Sequence, residues 1–230
     1  VANENTNNIS ILFGNGTGKF LAPINYTVGN WPASLSANDF NADGNMDLVV
    51  ANRASSNLSV LLGSSSGTFA VVNTYTVAFG PTSVITNDFN SDSKIDIAVI
   101  SQSTLTILLG NNTGAFTPLV SYSVGANPLS LSTADFNSDG KADLAIAIQS
   151  TNSIKILIGT GTGSFVAAAN YSAPLTPNSI TSTDFNADGT IDLAVANFGS
   201  SSVSILLGIG TGLFASPVQY SNYWSPFCVT

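Results

Sequence analysis

Histidine is absent, and cysteine, methionine and glutamate occur once each. Without histidine no Ser-His-Asp or Cys-His catalytic arrangement exists, and no imidazole is available as a metal ligand. The lone cysteine, Cys228, cannot form a disulfide within the chain. It is expected as a buried thiol, with an interchain bridge as the alternative. Lys and Arg number five, scattered along a chain of net charge −8, so nucleic acid has no basic stripe to bind. No apolar run approaches the length of a membrane span, and no charged-then-apolar leader opens the chain. Membrane insertion is therefore not expected, and the chain reads as a mature protein or a piece of a longer one. No segment sustains a helical period.

What is present is repetitive. All twelve Asp residues fall in four near-copies of one stretch, "DFNADGNMDLVVAN" from Asp39, "DFNSDSKIDIAVIS" from Asp88, "DFNSDGKADLAIAI" from Asp135 and "DFNADGTIDLAVAN" from Asp184, leaving Glu4 as the only other acid. The starting Asp residues stand at 39, 88, 135 and 184, a spacing of 47 to 49 residues. Other landmarks keep step. Gly14, Gly63, Gly110, Gly159 and Gly208 end apolar runs such as "VSILLG". Phe20, Phe69, Phe116, Phe165 and Phe214 follow a glycine-rich turn, and Tyr26, Tyr75, Tyr122, Tyr171 and Tyr220 follow again.

Each unit reads as four short strands: "PASLSAN" (Pro32 to Asn38), then the Asp loop, "DLVVAN" (Asp47 to Asn52), "LSVLLG" (Leu58 to Gly63) and "AVVNTYTV" (Ala70 to Val77). The second strand is nearly all apolar, which suits burial on both faces. Four antiparallel strands in under fifty residues predict a blade of an all-β propeller, a single domain over residues 1–230. The chain opens at "VAN", in phase with a second strand, and closes at "SPFCVT", in phase with a first strand. That phase predicts five blades closed by pairing of Val1 to Asn3 with Phe227 to Val229, which would remove an open sheet edge. A slice cut from a larger ring has the same phase.

The Asp loop follows D-x-N-x-D-G-x-x-D. Alternate oxygen donors at positions one, three, five and nine converge when a loop curls, with the backbone carbonyl of position seven as a further donor. The candidate ligands are Asp39, Asn41, Asp43, Asn45 and Asp47; Asp88, Asn90, Asp92, Lys94 and Asp96; Asp135, Asn137, Asp139, Lys141 and Asp143; Asp184, Asn186, Asp188, Thr190 and Asp192. Hard oxygen donors favour calcium, up to four ions, over zinc or copper, with magnesium second. The second loop is the weakest, because Ser93 replaces the glycine of position six. The position-two residues Phe40, Phe89, Phe136 and Phe185 are expected to pack inward and anchor the loops. Trp31, Trp224, Phe79 and Tyr223, on or near the connections between units, are expected to plug the joints between blades; stacking on sugar rings is the alternative.

The loop with "DLAVAN", the "SILLG" run followed by "GTGxF", and the unit length together resemble the FG-GAP or VCBS repeats of extracellular propellers, including the integrin α-subunit head. The resemblance covers essentially the whole chain. It implies ions held between the first and second strands of a blade, and an extracellular setting, secreted or cell-surface. It names no ligand. The expectation is a non-enzymatic binding or adhesion module for glycan or protein ligands. The alternative is a structural building block, self-assembled or set in a larger surface protein or fibre; a polysaccharide-active enzyme is the less favoured third class.

Overall fold

The computed structural model describes residues 1–221 and 224–230, so Tyr223 lies outside the described residues. It contains five antiparallel sheets, met in chain order, with short 3₁₀ turns at Glu4–Thr6 and Phe198–Ser200. Blade one holds β1 (Ala2–Asn3), β2 (Asn8–Ile11) and β3 (Ile24–Thr27). Blade two holds β4 (Pro32–Asn38), β5 (Asp47–Asn52), β6 (Asn57–Gly63) and β7 (Phe69–Thr76). Blade three holds β8 (Pro81–Asn87), β9 (Asp96–Ser101), β10 (Thr104–Gly110) and β11 (Phe116–Ser123). Blade four holds β12 (Pro128–Ala134), β13 (Asp143–Ile148), β14 (Ser153–Gly159) and β15 (Phe165–Ser172). Blade five holds β16 (Pro177–Thr183), β17 (Asp192–Asn197), β18 (Ser202–Leu206) and β19 (Val218–Ser221). The protein is a five-blade propeller, and the strands fall within a residue of those read from the repeat.

The second strand of each four-stranded blade is buried at all six positions. Its alternation feeds two cores. On β13, Leu144, Ile146 and Ile148 join the core shared with blade three, while Ala145 and Ala147 join the core shared with blade five. Side chains of a strand alternate between faces, so a strand sandwiched between two neighbouring blades must be apolar throughout.

The tyrosine and phenylalanine landmarks build the joints. The Phe69, Phe116, Phe165 and Phe214 amides donate to the hydroxyls of Tyr26, Tyr75, Tyr122 and Tyr171 of the preceding blade, at 3.4, 2.9, 2.9 and 2.7 Å. Each pair also meets ring edge to face. Phe40, Phe89 and Phe136 pack as expected, almost fully buried against Phe116, Phe165 and Phe214 of the next blade. Phe185 departs from the expectation and stays 46% exposed, because no following blade covers it. Trp31 and Phe79 do not plug the joints either: they are 50% and 69% exposed, and Trp224 is more exposed still. The joints are filled instead by the Tyr–Phe pairs and the loop phenylalanines.

Around the axis, the first strands interlock through serines. Ser34, Ser83, Ser130 and Ser179 accept the backbone amides of Val84, Leu131, Ile180 and Val229 at 3.2, 3.3, 3.2 and 3.2 Å. Cys228 holds the next place in this series. It is exposed rather than buried, beside a channel of 680 Å³ lined by the first strands of blades two to five and by residues 228–230. The C-terminal segment thus occupies a first-strand position against β16, with the Asn178 side chain donating to the Phe227 carbonyl at 2.7 Å. The expected ladder between this segment and the N-terminal strand is not formed among the described residues: β1 pairs with β2 alone. Blade one accordingly counts three strands.

Candidate functional site

The four Asp loops bridge first and second strands, all at one end of the blades. The loop of blade two sets the pattern. Asp39 accepts the amides of Asp43 at 3.2 Å and Gly44 at 2.8 Å through its two oxygens. Asn41 Oδ1 accepts the same Asp43 amide at 3.1 Å. Asp43 Oδ1 accepts the Asn45 amide at 2.8 Å. These bonds curl the chain over two left-handed residues, Ala42 at φ 58° and Gly44 at φ 84°. Ser93 adopts the left-handed conformation of position six at φ 62°. A side chain there meets open space at the equivalent Gly44, so the cost is in the backbone alone, about 1–2 kcal/mol.

The carboxylate of position nine has a task the sequence did not reveal. Asp47 is buried, and its oxygens accept the amides of Phe40 at 2.8 Å and Gly63 at 2.7 Å. Asp96, Asp143 and Asp192 repeat both bonds. Each ties its loop to the end of the third strand. The landmark glycine is required by this approach, since a Cβ on Gly63, Gly110, Gly159 or Gly208 would lie 2.1–2.2 Å from the carbonyl oxygen preceding position nine.

Burial pushes Asp96 up to about 6, against the amides of Gly110 and Phe89 and with the repulsion of Asp92 and Asp88. Burial raises Asp47 and Asp143 in the same sense, again with the other two carboxylates of the loop contributing. Position five moves the other way. The Asn45 amide, helped by the Asn41 side chain, holds Asp43 below the usual carboxylate value, and the Thr190 hydroxyl and amide do so for Asp188. At Asp92 and Asp139 slight desolvation opposes the shift, but Lys94 and Lys141 with the loop amides outweigh it. Lys94 and Lys141 pair with these carboxylates at 3.0 and 3.3 Å.

The donors fit a hard cation by type, since every candidate side chain except the two lysines offers oxygen, and the lysines were expected to contribute only backbone carbonyls. No group of three or more Asp, Glu, His or Cys side chains is gathered into a metal-holding cluster among the described residues. The loops do bring three carboxylates close enough to repel one another.

A second feature lies at the opposite end of the blades. Arg53, Gln102 and Gln149 each follow a second strand directly, whereas the Asp loops precede these strands. Together with Phe79, Thr82 and Asn127 they line a cleft of 270 Å³. The sequence reading missed it. The signal was the recurrence of a long polar side chain at 53, 102 and 149, in register with the repeat.

The FG-GAP-like repeat family profile matches residues 1–50, 39–99, 88–146 and 135–195. The chain belongs to this family. No curated relative matches the sequence. Solved structures share the fold at low identity. BBS1N in complex with ARL6DN is 15% identical over 85% of this chain and 57% of that one, with a TM-score of 0.62. A candidate 6-phosphogluconolactonase from Bacteroides fragilis is 14% identical over 99% of this chain and 68% of that one, with a TM-score of 0.73. An Agrocybe aegerita lectin with specific recognition of non-reducing terminal N-acetylglucosamine is 17% identical over 94% of this chain and 61% of that one, with a TM-score of 0.60. This FG-GAP-like chain thus spans between 57% and 68% of the lengths of these neighbours. No helix of the described residues is long and apolar enough to cross a membrane.

Proposed function

We propose that this propeller is an extracellular, calcium-stabilised, non-catalytic binding module that recognises glycans on the face opposite its Asp loops. The observation that carries the reading is the cleft beneath Phe79. Its ring is 69% exposed, and Arg53, Gln102, Asn127 and Gln149 line the same hollow. An exposed aromatic ring offers a stacking surface to a sugar ring, and planar side chains with several donors and acceptors suit its hydroxyls. The lectin neighbour supports the reading at the level of fold. The 6-phosphogluconolactonase neighbour shares only the fold, and its chemistry is not carried over at 14% identity.

A glycan array followed by titration calorimetry tests recognition. Phe79→Ala and Gln102→Ala should each weaken binding at least tenfold without changing the melting temperature by more than a few degrees. An array without a hit, or affinity indifferent to both substitutions, would reject glycan binding on this face.

The Asp loops in this reading hold calcium through positions one, three and five and the carbonyl of position seven. Position nine serves as the inner carboxylate that ties the site to the blade. Calcium supplies the positive charge that lets three carboxylates share one loop. Millimolar calcium should raise the melting temperature over that in chelator, since binding to the folded state adds RT ln(1 + [L]/Kd) per site. The variant carrying Asp135→Asn and Asp139→Asn should lose one bound ion by elemental analysis and keep the others. An unchanged melting temperature with no ion detected would remove calcium from the proposal.

A further inference from the structure

Blade four departs from the other blades at one place, and a hollow lies there. In blades one, two and five the second strand ends on Asn3, Asn52 and Asn197. Each of these side chains donates to a serine of the third strand, Ser10, Ser59 and Ser204, at 2.7, 2.9 and 2.9 Å. Blade four carries Ile148 and Lys155 at these two positions. Isoleucine has no side-chain donor, so the bond is not made. In its place is a hollow of 310 Å³ whose lining includes Gly125, Ile148, Thr151, Ser153, Lys155 and Asn170. The glycines that precede the first strands show the same change. A Cβ on Gly29 would lie 2.7–2.8 Å from the Asn52 side chain, whereas one on Gly125 comes no nearer than 3.5 Å to Ile148.

Lys155 is half-buried on this hollow. It makes no ion pair among the described residues, where the two ion pairs hold Lys94 and Lys141 to their Asp loops. The twelve Asp residues all stand in those loops, at the opposite end of the blades. The hollow is thus a positive site in an acidic protein. An ammonium partly withdrawn from water and without a counter-ion favours an arriving anion. Thr151 and Ser153, whose hydroxyls lie 2.7 Å apart, and Asn170, opposite Lys155 across β14 and β15, add polar groups around it. The hollow adjoins the cleft of Phe79 along two chain segments: Gly125 and Ile148 line the one, Asn127 and Gln149 the other. Both lie on blades two to four, which have a formed joint on each side.

We infer that the hollow is a second subsite, which takes an anionic sugar residue of a glycan whose neighbouring residue lies in the cleft. Lys155 holds its carboxylate or sulfate group. The inference rests on the glycan reading of the cleft and adds the charge of the ligand.

An array of neutral, uronic-acid and sulfated glycans tests it, and the class of the hits says which anion is read. Calorimetry then compares the strongest acidic hit with its carboxyl-reduced or desulfated counterpart. The acidic glycan should bind about tenfold tighter, as suits a hydrogen bond between charged groups, and the ratio should fall as sodium chloride rises. Lys155→Ser installs the residue of blades one, two and five and should bring the ratio close to one. Lys155→Arg should keep the preference. Circular dichroism and the melting temperature of both variants should match the native protein, since Lys155 has no ion pair to lose. Hits confined to neutral glycans, or an acidic preference unchanged by Lys155→Ser, would overturn the inference and leave recognition in the cleft standing. Inorganic sulfate that displaces the acidic glycan at equal concentration would overturn it as well, by making the hollow a site for the free anion. An array without a hit would remove the glycan reading and this inference together.

Discussion

Gly14 and Gly159 hold the same place in blades one and four, at the end of the third-strand run, and only one of them is crowded. A Cβ at Gly159 would lie 2.2 Å from the Ala142 carbonyl oxygen, whereas a Cβ at Gly14 meets nothing within 4 Å. The difference is the Asp loop. In blade four the loop returns through Asp143 and presses its backbone onto the strand; in blade one no loop reaches that position. The glycine is therefore a consequence of the loop, and blade one keeps the residue without the contact that demands it.

The largest expected effect breaks this pair apart. Gly159→Ala forces a methyl group into a backbone carbonyl that two flanking strands hold in place, and should cost about 3 kcal/mol or more. Gly14→Ala should be neutral or stabilise by up to about 1 kcal/mol, through the reduced freedom of the unfolded chain. Urea unfolding of the two variants beside the native protein checks both. Equal losses at the two sites would show that the glycine serves the strand and not the loop.

The same comparison explains what could be read from the sequence. The strands were legible because each is short, bounded by turn residues and repeated with little change; β4 and β5 begin and end where the composition places them. The loops were legible as oxygen-rich turns. The pair of hydrogen bonds that Asp47 accepts from the Phe40 and Gly63 amides was not legible, because Gly63 is distant in the chain and only the folded blade brings its amide to the carboxylate. The roles of Trp31 and Phe79 failed for a related reason. Their place in the connections was correct, but pairs such as Tyr75 and Phe116 had already filled the joint. The serine series ending in Cys228 was hidden because a hydroxyl on a polar first strand looks like any solvent-facing serine.

A middle-sized effect sharpens the role of the inner carboxylate. Asp143→Ala removes the acceptor of two amides, Phe136 and Gly159, at a residue with no solvent exposure. Buried donors left without partners cost about 1–3 kcal/mol each, and losing the penalty of the buried charge offsets part of their sum, so the loss should total about 2–4 kcal/mol. Asp135→Ala also removes the acceptor of two amides, Asp139 and Gly140, but these lie in the exposed part of the loop. Water can replace the lost acceptor there, and the change should stay within about 1 kcal/mol. Both measurements belong in chelator, where an ion cannot contribute. A greater loss from the outer position than from the inner one would reverse the assignment.

The smallest effect is a titration, and it separates the two kinds of carboxylate within one loop. In chelated protein Asp96 should titrate near 6, because burial disfavours its charged form, while Asp92 should titrate below the usual carboxylate value because Lys94 and the loop amides outweigh its slight desolvation. Carboxyl carbon resonances followed from acid to neutral pH would resolve the two. The signs for stability are opposite. Asp96 has a folded value raised above its unfolded 3.8, so its contribution is fully present below 3.8 and is lost as pH rises through about 6. Asp92 has a lowered folded value, so its contribution is present above 3.8 and is lost as pH falls through the folded value. Blade one has no Asp loop and therefore neither group. Coincident titration of Asp92 and Asp96 would mean that the inner carboxylate is solvated like the outer one, and the distinction between latch and rim would fall with it.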